Sequence, residues 1–342
     1  MAITNDDPSH SNNKTQQKQT QAESLNNNGN LAEQILEMLP IIGNLILLLL
    51  NACWLIGKAF IELIIPVPPK SVKGEIVLIT GAASGIGREL ALQYAAEGAT
   101  VVCWDINEKG NLETVEEIAS LGYPKAHAYV CNVANRKEVM ETAEKVGKDV
   151  GNVTILINNA GALRSCPFLD HTSKDIETVI NVNLMGHFWT LQAFLPTMVK
   201  NNYGHIVAIS SLAGLIGASR HITAYTASKF AVRGMMEALY SDLHVDSKCQ
   251  IKTTCIYPAG VETGLFDIKR VYRRYPKIMP MLKSKDVAKC IMDAQRRDMF
   301  EITVPRHTLT LCYLFRLLPV RVNIAVFKFL ECYIKSDSET IQ

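Results

Sequence analysis

The sequence predicts an α/β fold in which a doubly wound parallel sheet of about seven strands follows a membrane segment. Three observations predict it. From Gly74 onward, short β-branched runs alternate with helix-period segments, the pattern of βαβ units. The runs are apolar throughout, as strands covered by helices on both faces are. The first run ends in a glycine-rich turn that leads straight into a helix, which is where doubly wound sheets bind nucleotides.

Taken in order, residues 1–30 are mostly Asn, Gln, Ser, Thr, Lys and acids; with so little apolar surface to bury, they predict a disordered tail. Residues 31–69 predict a membrane anchor. Met38 to Gly57 is 20 residues without a charge, and a helix of that length spans roughly 30 Å. Its depth in the chain and the lack of a small-residue cleavage site argue against a signal peptide. Asn44, Asn51 and the Phe60–Val67 stretch, broken by Pro66, Pro68 and Pro69, leave a hairpin within one leaflet open beside a full span. Lys58, Lys70 and Lys73 follow the segment whereas only Lys18 stands within 20 residues before it, so the positive-inside rule places the following domain in the cytosol. Asn13-Lys14-Thr15 is then a glycosylation sequon on the far side if the segment spans.

The domain proper is expected over 70–305. Its strands are expected at Glu75–Thr80, Ala99–Trp104, Ala126–Cys131, Thr154–Asn158, His205–Ser210, Ile251–Tyr257 and Glu301–Val304, with helices near 86–98, 112–121, 136–150, 174–200, 223–245 and 285–296. In 306–342, the apolar stretch Leu309 to Leu330 carries Arg316, Arg321 and Lys328. It reads either as a basic amphipathic segment on a membrane surface or as a helix packed on the domain.

A formal net charge of +2 gives no field that would gather nucleic acid. Nine scattered cysteines without a C-x-x-C pair argue against a disulfide framework and a zinc site, and favour a reducing compartment.

The chemistry-bearing residues come next. Thr80-Gly81-Ala82-Ala83-Ser84-Gly85-Ile86-Gly87 closes the first strand; glycines there let a pyrophosphate approach the amides of a helix N-terminus. Asp105 lies 18 residues beyond Gly87, about where an acid grips the adenosine ribose. Its charge repels a 2′-phosphate and neither Ser84 nor Ile106 offers a cation, so NAD is preferred over NADP. Tyr225 and Lys229 stand four apart at the start of a helix, so an ammonium lies beside a phenol and lowers its pKa. Such a phenol exchanges a proton with an alcohol.

These motifs, in this order, resemble the short-chain dehydrogenase/reductase family: TGxxxGIG at 80–87, Asn158-Asn159-Ala160-Gly161, Asn183-Leu184-Met185-Gly186, Ser210-Ser211, Tyr225 with Lys229, and Pro258 with Thr263. The similarity covers roughly 74–305. The membrane segment, the Gly74–Thr80 strand, Trp104-Asp105-Ile106-Asn107 and His187-Phe188-Trp189-Thr190 resemble the membrane-bound retinol dehydrogenase and 17-beta-hydroxysteroid dehydrogenase branch.

The resemblance implies a Rossmann-type fold and an oxidoreductase interconverting a lipophilic alcohol and its carbonyl. It makes Tyr225 the general acid/base, Lys229 the holder of the nicotinamide ribose, Ser211 the hydroxyl that binds the substrate oxygen, and Asn183 the holder of a water that relays protons. Ser210 competes with Ser211, and the 14 residues from Ser211 to Tyr225 are one more than the family often has. Gly81, Ser84, Gly85, Ile86, Gly87, Asp105, Asn132, Val133, Asn159, Ala160, Gly161, Tyr225, Lys229, Pro258, Val261 and Thr263 are implied cofactor contacts, with Asn132 standing where an acid often accepts from the adenine amino group. The five cations of Lys269–Lys277 fall where the family places a substrate lid, and read either as a cluster that meets anionic headgroups or as a solvated basic loop. Trp104 and Trp189 read as core. Membrane lipid is an expected partner, a homodimer is left open, and the location implied is the endoplasmic reticulum membrane or a lipid droplet. A reductase of long-chain keto lipids and a catalytically silent membrane scaffold with a structural nucleotide site are the competing readings.

Overall fold

The computed structural model describes residues 36–58, 60, 61, 65, 67–217, 219–265 and 268–336; the predicted tail 1–30 lies outside them. The chain forms two units, Met1–Pro68 and Pro69–Gln342. In the first, α1 (Leu36–Lys58) contains the whole uncharged Met38–Gly57 run, and its apolar window is 0% buried. At 1.5 Å per residue its 23 residues extend about 35 Å. It is long and apolar enough to cross a membrane.

The second unit is built on seven parallel strands: β1 (Ile76–Thr80), β2 (Thr100–Asp105), β3 (Ala126–Val130), β4 (Ile155–Asn158), β5 (His205–Ile209), β6 (Lys252–Pro258) and, after three short strands, β10 (Glu301–Val304). Their spatial order is β10-β6-β5-β4-β1-β2-β3. The short strands pair separately. β7 (Val261–Glu262) lies parallel to β9 (Leu282–Lys283), and β8 (Val271–Arg273) antiparallel to β11 (Cys332–Ile334).

Residues alternate across the sheet because successive side chains of a strand point to opposite faces. Val77, Ile79, Val101, Cys103, Ile155 and Ile157 join one core with α2 (Gly85–Ala96), α3 (Glu108–Ser120) and α8 (Ser284–Arg296). Leu78, Val102, Trp104, Leu156 and Ile206 join the other with α4 (Arg136–Asp149), α6 (Gly186–Asn201) and α7 (Thr223–Leu243). Both faces are thus covered, which is why the strands read as continuous apolar runs. Strand order reverses at β1, whose neighbours are β2 and β4, and crevices for ligands open beyond the carboxyl ends of strands at such a point.

The helices depart from expectation in two places. The one expected at 112–121 begins at Glu108, because the Asn107 side chain caps it by accepting from Gly110 N. The one expected at 174–200 is α5 (Ser173–Ile180), a π-helical turn Asn181–Met185, and α6. Two further helices, α9 (Thr308–Leu317) and α10 (Val320–Leu330), occupy the C-terminal apolar stretch. α9 packs on the domain through Cys312, which is buried in the second core.

Candidate active site

The turn after β1 is held by distant atoms. Thr80 Oγ1 accepts from the amides of Asn159 and Ala160, both at 3.0 Å. Asn159 Nδ2 donates to the carbonyls of Thr80 (2.8 Å) and Gly81 (3.2 Å), and Gly81 N donates to Trp104 O at 2.7 Å. The resulting approach leaves no room for side chains: a Cβ on Gly87 would stand 2.0 Å from the Gly81 carbonyl oxygen. Gly81 and Gly85 also adopt positive φ, +71° and +56°. Ser84 sits at the N-cap of α2 without a side-chain hydrogen bond to the helix, and the first turn holds no acid. The orphan amides of α2 therefore have no side-chain partner of their own, the condition under which a helix N-terminus takes an anion.

At the end of β2, Asp105 accepts from Ala83 N (2.9 Å) and Asn107 N (2.8 Å). Its carboxylate is fixed beside the glycine turn. Thr263 methyl and Cβ atoms would meet a Cβ on Gly85 at 3.0 Å, so Thr263 stands over the same turn; Pro258 ends β6 and Val261 begins β7. Val133 packs against Gly186, Ile86 is half-buried, and Gly161 faces Asn183 Oδ1. This cradle, tight in its backbone and lined with unclaimed helix amides, fits the pyrophosphate and ribose of a nicotinamide dinucleotide.

The residues expected to transfer the proton converge from two places, the turn after β5 and the start of α7. Ser211, just past β5, caps a short 3-10 turn by accepting from Ala213 N, and its hydroxyl is hydrogen-bonded to the Tyr225 phenol. Tyr225 lies in the first turn of α7. Lys229, one turn on, is 3% exposed; its ammonium donates to Ile209 O at 2.8 Å and stands 5.6 Å from the centre of the Tyr225 ring. Burial lowers the Lys229 pKa to about 8. Burial raises that of Tyr225, against which the Ser211 hydrogen bond works in the lowering direction. In the chain alone, desolvation outweighs the depression of the phenol expected from the Tyr225/Lys229 spacing.

Several sequence-predicted residues take other work than expected. Asn159 closes the glycine turn with its amide, as above. Asn132 Oδ1 accepts from Ala134 N at 3.1 Å, which leaves it a weaker acceptor for an adenine amino group. Asn183 is fully buried; it accepts from Ala162 N (2.7 Å) and donates to Ala162 O (2.9 Å) and Ser228 Oγ (3.0 Å). Both amide hydrogens are engaged, so only oxygen lone-pair capacity is left for a relay water. Ser210 is directed away from the phenol, donating to Lys229 O at 2.9 Å. Three guanidinium groups of the basic loop have partners within the chain: Arg270 donates to Lys335 O, Arg273 to Met279 O, and Arg274, itself exposed, pairs with Glu331. Arg270 and Arg274 thereby fasten the C-terminal segment, and Lys269, Arg274 and Lys277 present exposed cations.

Sequence reasoning missed three parts of the site. Ser228 joins Asn183 to Tyr225 O, to which it donates at 2.7 Å; its place within Tyr225–Lys229 was the available signal. His187, on the first turn of α6, is 2% exposed with neither ring nitrogen partnered. β11 reaches across some 60 residues to β8, and Ile334 O accepts from Ser165 Oγ at 3.0 Å and lies 3.3 Å from His221 Nδ1. It thereby ties together loops that follow β4, β5 and β6. A three-residue strand leaves no periodic trace.

Residues 75–271 match the family model for short chain dehydrogenases. The bovine (Bos taurus) short-chain dehydrogenase/reductase family 16C member 6 is 42% identical over 78% of this chain and 84% of its own length. Human (Homo sapiens) epidermal retinol dehydrogenase 2 is 39% identical over 80% and 87%, and human 17-beta-hydroxysteroid dehydrogenase 13 is 36% identical over 83% and 92%. Among solved structures, a short chain dehydrogenase/reductase from Burkholderia phymatum in complex with NAD superposes with a TM-score of 0.64 at 28% identity, covering 72% of this chain and 94% of that one. A chain from Beutenbergia cavernae with NADP bound at low occupancy gives 0.61 at 28% identity, over 69% and 97%.

Proposed function

The chain belongs to the short-chain dehydrogenase family and is an NAD(P)-dependent alcohol dehydrogenase or carbonyl reductase, and from that premise we propose that it oxidises a lipophilic alcohol of the retinol or hydroxysteroid type with NAD. The observation that carries the reading is the grouping of Tyr225 and Ser211, both half-buried, with the buried Lys229 beside the glycine cradle. A dinucleotide held at the cradle supplies the hydride acceptor. Tyr225 accepts the hydroxyl proton as the C–H bond is broken. Ser211 positions the substrate oxygen and steadies the phenolate through the same hydrogen bond. Lys229 holds the ribose hydroxyls and, while protonated, favours the phenolate electrostatically. Asn183 positions the Ala162 loop against α7.

Asp105 supports the choice of NAD: a carboxylate fixed by two backbone amides cannot swing away from a 2′-phosphate. The named substrates of the epidermal and hydroxysteroid relatives support a lipophilic alcohol. α1 supports a membrane location, and Lys58, Lys70 and Lys73 support a cytosolic domain on the endoplasmic reticulum or a lipid droplet.

The deciding experiment presents full-length protein in microsomes with NAD and a panel of retinoids, steroids and fatty alcohols. We expect turnover with at least one of these, and a Tyr225→Phe loss of roughly 10² to 10⁴-fold with NAD binding retained. A variant keeping more than about a tenth of wild-type turnover would remove Tyr225 from the chemistry.

A further inference from the structure

The C-terminal helix pair carries an apolar surface that no part of the described chain covers. α9 is fastened from beneath, since Cys312 is buried in the core and the Tyr313 phenol donates to Glu301 at 2.6 Å. α10 contains no buried residue. At the corner between the helices Leu317, Leu318 and Val320 are 81%, 43% and 69% exposed, and Leu314 and Ile324, a turn to either side, are 55% and 48% exposed. A contiguous apolar surface of this kind on a folded domain marks an interaction site. An 11-residue helix without buried residues, packed through Phe327 on Phe315 and Phe329 on Tyr275, has little of the tertiary packing that normally stabilises a helix so short.

Charge identifies the cover. Thr308 to Leu330 holds three cations, Arg316, Arg321 and Lys328, and no acid. All three are exposed, and among the described residues none has a carboxylate partner. A second copy of this chain meeting the same face about a twofold axis would set these cations against one another. An anionic lipid surface takes both features together, cations at the headgroups and apolar side chains beneath them. The same chain carries α1, so lipid is the surface at hand.

We propose that the α9–α10 corner is a second, peripheral docking surface for the anionic face of a phospholipid bilayer, with Leu317, Leu318 and Val320 entering the acyl boundary and Arg321 and Lys328 meeting phosphates. The end of α10 is bound to the loop after β7: the Phe329 and Tyr275 rings pack at a tilt with centroids 5.0 Å apart, and Arg274 pairs with Glu331 just beyond the helix. Lipid seated on the corner therefore braces the loop after β7. The inference rests on the membrane location proposed above and is independent of which alcohol is oxidised.

The test uses full-length Leu317→Trp, and separately Val320→Trp, each in a Trp54→Phe background, reconstituted in vesicles containing brominated phosphatidylcholine with or without phosphatidylserine. A parallel sample that keeps Trp54 reports whether α1 itself is in lipid, so failure of the membrane reading is seen apart from failure of the docking. Both positions are highly exposed, so an indole adds no core strain, and NAD binding checks the fold. With docking, bromolipid quenches the new indole by at least about twofold when phosphatidylserine is present. Arg321→Glu with Lys328→Glu abolishes that dependence. Two outcomes overturn the proposal: an indole still open to aqueous acrylamide in phosphatidylserine vesicles, or one shielded from acrylamide and bromolipid alike, which would mean a protein covers the corner.

Discussion

Asp105 performs two tasks with one carboxylate, and they separate on mutation. Its bonds to Ala83 N and Asn107 N shape the turn, while under the proposed preference for NAD its charge opposes a 2′-phosphate. Asp105→Asn keeps an acceptor oxygen but removes the charge, so kcat/KM with NADP should rise relative to NAD by about tenfold or more, each 1.4 kcal/mol of lost repulsion being one decade. Steady-state kinetics with both cofactors check this, and a wild-type preference for NADP would refute the premise. His187 and His205 give a second residue-scale expectation. Burial lowers their pKa values to about 3 and about 4, below the ordinary 6.5 of an unfolded histidine. The folded chain then binds fewer protons than the unfolded one below pH 6.5, so stability is full above that pH and is lost as pH falls toward 4. At pH 5 a neutral buried imidazole costs up to about 2 kcal/mol in this way. His187→Phe should retain more of its pH 7.5 stability at pH 5 than the wild type does, read from urea midpoints at the two values. The nearness of Lys229 to the Tyr225 ring and the tight glycine turn were legible in the sequence because helical spacing and positive-φ glycines leave a pattern in the residues. His187 was not, since a lone histidine among apolar residues carries no spacing to read.

Among the elements, the glycine turn is the least tolerant. Gly87→Ala forces a methyl to 2.0 Å from the Gly81 carbonyl and 2.6 Å from Asn159 Nδ2, so it should weaken NAD binding more than tenfold and destabilise the fold by about 1–3 kcal/mol. Gly147→Ala is the control. That position, inside α4, has nothing within 4 Å of a new Cβ, and the better helix former should stabilise by about 0.5–1 kcal/mol. Calorimetry and NAD titration of the two variants show whether space rather than glycine content governs the turn. Strand positions were readable to within a residue or so because apolar runs end where helices stop covering them. The π-helical turn at Asn181–Met185 was not, because its cause is tertiary: the Asn183 amide is drawn to Ala162 and Ser228, contacts 21 and 45 residues away. The start of α3 was missed for a local reason, the Asn107 cap standing ahead of the first apolar residue of the helix.

At the scale of the whole molecule, attachment and catalysis are assigned to different units. Deleting residues 31–69 should convert carbonate-resistant membrane association into association that salt extracts, while NAD binding by the second unit persists, because both core clusters lie within Val72–Cys312. Extraction of membranes expressing the two forms measures it; undiminished carbonate resistance would shift the anchor away from α1. The doubly wound order was legible from the alternation of elements, whereas the β8–β11 clasp required knowing which loops meet. One consequence of the glycine turn reaches into synthesis. Its carbonyls and its threonine are held by Asn159 and Ala160, nearly eighty residues downstream. A chain still emerging from the ribosome therefore has β1, α2 and the whole fingerprint outside the tunnel before it has a nucleotide pocket, and the pocket closes only when β4 is released and docks. Cofactor capture is timed by the arrival of the fourth strand, and a nascent chain stalled before Asn158 should be blind to NAD.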